Sequence, residues 1–204
     1  IHEFDMPVFP TDRVRYVGEA VAVLAGPDPA VLEALASAVR VRYADVRPAV
    51  TSLDEAAVYF YSYEVKKGEM ESTFAKADFV HSETFKMGRQ EQAYLEAQAL
   101  TVYEKDGVLT CEGSMQCPYY VVSALRHAYL REASGVRVIQ RMTGGAFGGK
   151  EDYPSLLACQ LAAVSLKAGK PCRAVLDRHE DIAVTTKRHP GKITYRAAVR
   201  DGRI

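Results

Sequence analysis

The chain of 204 residues carries 26 basic and 26 acidic side chains, a formal net charge of zero, and 48% apolar residues, enough for one sizeable core or two modest ones. That balance leaves no basic patch for nucleic acid or an anionic membrane, and no apolar run reaches the roughly 18 residues that span a bilayer. With no basic-then-apolar leader in Ile1-His2-Glu3-Phe4-Asp5, the expectation is a globular cytoplasmic protein without nucleic-acid or membrane partners.

In chain order, Val14-Arg15-Tyr16-Val17 alternates and Val21-Ala22-Val23-Leu24 runs apolar, which predicts a strand. Asp28 caps and Pro29 opens a helix with Val31, Leu35 and Ala38 at helical spacing. Val39 to Tyr43 predicts a second strand, closed by Pro48, and completes a strand, helix, strand unit. Turn and cap signals with little periodicity fill Thr51 to Gly68, so a domain boundary is placed there, dividing 1–55 from 56–204. Glu71 to Lys76 predicts a short helix and Ala77 to Met87 a strand. Leu100 to Glu104 and Val108 to Glu112 form a predicted hairpin about Lys105-Asp106-Gly107. Pro118 opens an amphipathic helix to about Leu130, and Val136 to Met142 reads as a strand running into a glycine-rich loop. Pro154 starts a helix carrying Leu157, Leu161 and Val164, which Gly169 ends. A strand around Arg173 to Leu176, a loop, and a strand from Ile193 to Arg200 facing the turn Asp201-Gly202 follow. A start without Met and a turn without its second strand predict a piece of a longer chain.

Cys111, Cys117, Cys159 and Cys172 form no Cys-x-x-Cys pair, and His2, His81, His127, His179 and His189 never fall at i and i+4. Free thiols are expected and a zinc site is not. The sharpest motif is Gly144-Gly145-Ala146-Phe147-Gly148-Gly149-Lys150-Glu151, between a strand and a helix. Glycines allow positive φ and let amides approach an anion, so a phosphate cradle is one reading. Gly144, Gly149 and Lys150 match P-loop spacing, but Glu151 stands where Ser or Thr would hold magnesium. A tight turn with a glutamate near a helix N-terminus is the plain alternative.

Other segments join this loop. Gly88-Arg89-Gln90-Glu91-Gln92-Ala93-Tyr94-Leu95-Glu96, Ser114-Met115-Gln116, Gly144 to Glu151, and Asp177-Arg178-His179-Glu180-Asp181 through Arg188-His189-Pro190 occur in one order. Together they resemble the molybdenum-cofactor-binding large subunit of the xanthine dehydrogenase and aldehyde oxidase family, over nearly the whole chain. Val17-Gly18-Glu19-Ala20-Val21-Ala22-Val23 with the helix and strand after it resembles the end of that family's small α/β hammerhead domain. The fold class so implied is α+β: residues 1–55 end the hammerhead domain, and residues 56–204 begin the molybdopterin-binding domain, with mixed sheets and packed helices.

In the family, the glutamine matching Gln116 contacts an oxo ligand of molybdenum, so Gln116 is expected to meet the metal through that ligand and not directly. The loop matching Gly145, Ala146, Phe147 and Gly148 packs against the metal centre. The glutamate matching Glu151 hydrogen-bonds the purine in xanthine dehydrogenases, where aldehyde oxidases commonly place an apolar residue. Gln116 and Glu151 are therefore the expected catalytic residues, and a purine such as xanthine or another N-heterocycle the expected substrate. The chemistry agrees, since a neutral amide donates to a metal-bound oxygen without adding charge and a carboxylate accepts from ring N–H groups. Gln92 stands where many members carry His, and Ala146 replaces a glycine of the common loop; neither removes a proposed contact group. Gln90, Glu91 and Glu96 read as solvated or paired side chains, and Arg188-His189-Pro190 as a conformational stop.

The implied reaction is hydroxylation of an electron-poor ring carbon, with electrons leaving through iron–sulfur clusters to flavin. The family's general-base glutamate and substrate-binding arginine lie further along the subunit than this sequence runs, and it offers no four-cysteine cluster site. Expected cofactors are thus molybdenum-molybdopterin, with the cytosine dinucleotide form left open, and iron–sulfur clusters and FAD on other segments or subunits. Expected partners are the remainder of the large subunit and the iron–sulfur and FAD subunits. A cofactor-free interaction module of the same assembly is the reading from another class.

Overall fold

The computed structural model describes residues 6–204. Residues 1–5, with His2 and the leader reading, lie outside the described residues. The elements run α1 (Pro29–Ala38), α2 (Met70–Ala75), β1 (Phe79–Met87), β2 (Ala99–Lys105), β3 (Val108–Gly113), α3 (Pro118–Ala128), β4 (Val136–Gln140), α4 (Tyr153–Ala168), β5 (Cys172–Val175), α5 (Arg178–Val184) and β6 (Gly191–Val199). No helix among the described residues is long and apolar enough to cross a membrane. The chain divides into two units, one holding the residues up to Val41 and Glu91–Lys187, the other Arg42–Gln90 and Arg188–Ile204.

The first unit is built on a four-stranded mixed sheet in the order β4-β3-β2-β5. β2 and β3 form the hairpin expected from Asp106-Gly107, whose φ values of 52° and 76° suit the tight mirror-image turn that matches strand twist. β3 pairs parallel with β4, so the chain must cross over, and α3 is the crossover. β5 adds antiparallel to the free edge of β2. Strand alternation sends Leu100, Val102, Leu109 and Cys111 into one layer, where Val121 and Leu125 of α3 and Leu157, Ala158 and Leu161 of α4 meet them. Each such buried leucine contributes about 1.5–3 kcal/mol of transfer free energy. Because α4 also buries Ser155, Gln160 and Ser165, it is enclosed on most of its circumference. Asp28 accepts from Ala30 N and Val31 N and Gly169 takes φ 63° behind α4, as the cap residues predict.

The strands expected on either side of α1 do not form. Residues 14–24 and 39–43 make no ladder among the described residues, and Val17, Val21, Val23, Leu24, Val39 and Val41 are exposed. Alternation makes a segment competent to be a strand, but a strand exists only when a neighbour satisfies its backbone. The loop expected after β5 is instead α5, capped by Asp177, which accepts from Glu180 N.

In the second unit, β1 and β6 pair antiparallel over nine positions, Phe79 opposite Val199 through Met87 opposite Gly191. One face carries Phe85 stacked on Tyr195 at 5.9 Å; Asp54 ties the far end by accepting from Lys86 and Lys192. Those two hydrogen bonds hold the Asp54 carboxyl down at about 2. Arg196 lies 4.2 Å over the Phe74 ring of α2. The turn Asp201-Gly202 is closed by a bridge between Arg200 and Arg203.

Candidate functional site

Gln116 sits in the four-residue link between β3 and α3, and its neighbours pin it there. Ser114 N donates to Ala99 O at 3.2 Å, Met115 is fully buried in the core, and Gln140 Nε2 donates to Met115 O at 2.8 Å. Pro118 then starts α3 without needing an N–H partner. The parallel strand β4 runs out beside β3, with Arg141 N on Gly113 O at 2.8 Å, and delivers the glycine-rich loop to the same end of the sheet.

The loop folds back on itself. Gly145 and Gly148 take φ of 93° and 91°, and Gly149 N donates to Ala146 O at 2.8 Å. Only a residue without Cβ fits at Gly149, where that atom would stand 2.4 Å from Tyr94 Cε1. Gln116 N donates to Lys150 O at 2.8 Å, and Gln116 Oε1 accepts from Gly148 N at 3.0 Å and Lys150 N at 3.1 Å. Two backbone donors on one side-chain atom require that atom to be the carbonyl oxygen, which fixes the orientation of the carboxamide. The Gln116 amide hydrogens therefore have no acceptor among the described residues. Ala146 is buried, Phe147 projects with 76% exposure, and Gly148 has open space in the direction of its absent Cβ.

This geometry excludes the P-loop reading. The Gly148 and Lys150 amides are spent on Gln116, and the Lys150 ammonium is wholly buried, donating at 2.9 Å to both Glu96 Oε2 and Ser114 Oγ. A phosphate-binding lysine must reach into the mouth of its loop. Lys150 instead points behind it, 4.7 Å from the centre of the Tyr94 ring.

Behind the loop lies a buried polar network. Tyr94 donates its hydroxyl to Asp181 Oδ1 at 2.5 Å, Gln98 N donates to Asp181 Oδ2 at 2.9 Å, and Gln98 Nε2 donates to Gly149 O at 2.8 Å. Burial, then the hydrogen bond to Asp181, raises the Tyr94 pKa far above that of a free phenol. Glu96 also pairs, as expected, though with a partner no sequence pattern indicated. Its partial burial works against the charged form, but hydrogen bonds from Ser114, Gly144 N and Lys150 outweigh that and leave its pKa below the ordinary glutamate value. Glu91 pairs with Lys187 at 2.7 Å, and Gln90 bridges Arg188 in the second unit.

Glu151, one residue past Lys150, is exposed. The half-buried Cys117 thiol has its pKa raised first by burial and then by the charges of Glu151 and Asp152. The structure thus brings Gln116, Gly148 and Lys150 into direct contact with Glu151 beside them. Sequence reading missed the burial of Lys150 and of Asp181; the signal for Asp181 was the cap pattern of Asp177 and Glu180, which places it on the first turn of a helix. All four cysteines are free, and burial pushes the Cys111 and Cys159 thiols up to about 12. No cluster of metal-ligating side chains occurs among the described residues.

Comparison with known proteins places the chain in a family. The chain is 32% identical to a xanthine dehydrogenase of Drosophila pseudoobscura pseudoobscura over 209 residues, 98% of this chain and 15% of that enzyme. It is 30% identical to the large molybdopterin subunit of nicotinate dehydrogenase from Eubacterium barkeri over 212 residues, 98% of this chain and 49% of that subunit. In fold it matches quinoline 2-oxidoreductase from Pseudomonas putida 86 with a TM-score of 0.76 at 23% identity, over 92% of this chain and 26% of that one. The chain therefore spans less than half the length of these relatives. Residues 53–204 match the family described as the molybdopterin cofactor-binding domain, and the chain accordingly belongs to the molybdopterin-binding part of the molybdenum hydroxylases, homologous to xanthine dehydrogenase and aldehyde oxidase.

Proposed function

We propose that this chain forms one wall of the molybdopterin site of a molybdenum hydroxylase that oxidises a purine such as xanthine, or another N-heterocycle. The observation that carries the reading is the orientation of Gln116. Its oxygen is held by two loop amides, so the only group it offers outward is a neutral N–H donor. The residues fit the cofactor: the Gln116 carboxamide is bonded to the loop at Gly148, and the loop residues Phe147, exposed, and Gly148, open where its Cβ would be, carry no charge. Gln116, Gly145, Ala146, Phe147 and Gly148 would hold the group. When bound, it supplies the two-electron oxidation that hydroxylates a ring carbon.

The chain's own residues orient and balance charge. Gln116 donates to the cofactor from a fixed geometry, so no reorganisation is needed as charge develops. Glu151 accepts a hydrogen bond from a ring N–H of the substrate or balances a protonated ring. Nicotinate and quinoline, named for two relatives, and xanthine are all N-heterocycles, which supports that substrate class. In this reading residues 1–55 end a hammerhead domain and 56–204 begin the cofactor domain. The rest of the subunit, with iron–sulfur and FAD components, completes the enzyme. Buried free thiols such as Cys111 and Cys159 suit a reducing cytoplasm.

Glu151→Ala in the complete enzyme tests the substrate role. It is expected to keep its molybdenum and to lose about a hundredfold in kcat/KM for xanthine, the size of effect that removing one positioned contact produces. Unchanged kcat/KM for every N-heterocycle tried would end the assignment.

A further inference from the structure

We propose that the half-buried Glu96 and the buried Lys150 form a clasp that positions Gln116 for the cofactor, an inference that rests on the hydroxylase reading above. A single carboxylate oxygen, Glu96 Oε2, accepts from Gly144 N at 2.8 Å and from Lys150 Nζ at 2.9 Å. These are the two ends of the glycine-rich loop. Glu96 N also donates to Gly144 O at 3.2 Å, so the first end is held twice.

The second end is held more tightly still. Lys150 is fully buried, with its ammonium shared among Glu96, Ser114 and the face of Tyr94. An ammonium so placed is tolerable only with its counter-ion and hydrogen-bond partners present, so the pair must close whenever the loop is in its folded place. The backbone of the same residue makes both of its hydrogen bonds to Gln116: Gln116 N to Lys150 O, and Lys150 N to Gln116 Oε1. Ser114, the third partner of the ammonium, lies two residues before Gln116.

Closing the clasp therefore sets the direction of the Gly148 and Lys150 amides, and these decide which end of the Gln116 carboxamide is the free one. If the loop opens, nothing holds Oε1 inward, and the amide rotates or offers its carbonyl oxygen where a donor is needed. Glu96 and Lys150 touch neither substrate nor cofactor in this scheme. They are positioning residues that act through Gln116.

The test compares wild type, Glu96→Gln, Glu96→Ala and the double variant Glu96→Ala/Lys150→Met, all in the complete protein. Glu96→Gln keeps an acceptor oxygen on the same stem, and the double variant removes the stranded buried charge that makes Glu96→Ala alone prone to misfold. Deuterium exchange of the peptide over residues 143–152 is measured with and without cofactor, beside molybdenum content and xanthine kinetics. The clasp predicts exchange about tenfold faster in Glu96→Ala and in the double variant, with substantial recovery in Glu96→Gln. It also predicts kcat per bound molybdenum lower by about a hundredfold at a KM within about threefold of wild type. Wild-type exchange and kcat in the double variant would overturn it, and so would activity lost only in proportion to lost molybdenum. Wild-type protein that binds no molybdenum would defeat the hydroxylase reading, while cofactor-free exchange would still report on the clasp.

Discussion

At the scale of single residues, the Gln116 carboxamide holds the loop with its oxygen, and the proposed function gives its NH2 end to the cofactor. Gln116→Glu separates them, because a carboxylate still accepts from Gly148 N and Lys150 N but has no hydrogen to give. The variant is expected to keep the melting temperature of wild type and to lose about a hundredfold or more in kcat, as when one preorganised donor is removed. Glu96 makes a pH prediction. Its pKa is depressed in the folded protein, so its contribution is present above the ordinary glutamate range and is lost as pH falls through the lower folded value. Melting curves between about pH 6 and about pH 3 should therefore fall more steeply for wild type than for Glu96→Gln; equal slopes would remove Glu96 from the account. Neither role was legible in the sequence. Gln116 and Glu151 stood out only through family likeness, and the partner of Lys150 is 54 residues away, a separation that no local pattern spans. The same buried lysine adds to the objection that Glu151 raises against a P-loop, since Gly144, Gly149 and Lys150 have its spacing while the Lys150 ammonium is buried on Glu96 and Ser114.

At the scale of elements, the site exists because β3 and β4 are parallel neighbours that both end at the same side of the sheet. One leads on to Gln116 and the other into the glycine-rich loop. The loop must pass close to Tyr94, and Gly149→Ala would press a methyl group into that ring. We expect a loss of about 1–3 kcal/mol, read as a lower denaturation midpoint with unchanged slope; a midpoint equal to wild type would mean that the loop yields freely. Elements with their own punctuation were legible: Asp28-Pro29 before α1, Asp106-Gly107 between β2 and β3, Pro118 at α3, and Gly169 after α4. Those that depend on a distant partner were not. Residues 14–24 have a strand's alternation but no ladder among the described residues, while α5 is short, and its cap pattern sits in a stretch without helical periodicity.

At the scale of the whole molecule, the two units differ in how much they bury. The first has a continuous core between the mixed sheet and α3 and α4. The second is a two-stranded ribbon, exposed along all of β1, with Phe79, Phe85, Ile193 and Tyr195 open to solvent. Such ribbons are marginal alone, and the chain covers between 15% and 49% of the two relatives compared, so its stability and chemistry belong to the full-length protein. The most direct test is the molybdenum and pterin content of the full-length protein, purified in native form. The account predicts about one molybdenum and one pterin per copy of this chain, in keeping with a single cofactor per site. Folded full-length protein that carries neither metal nor pterin would contradict it.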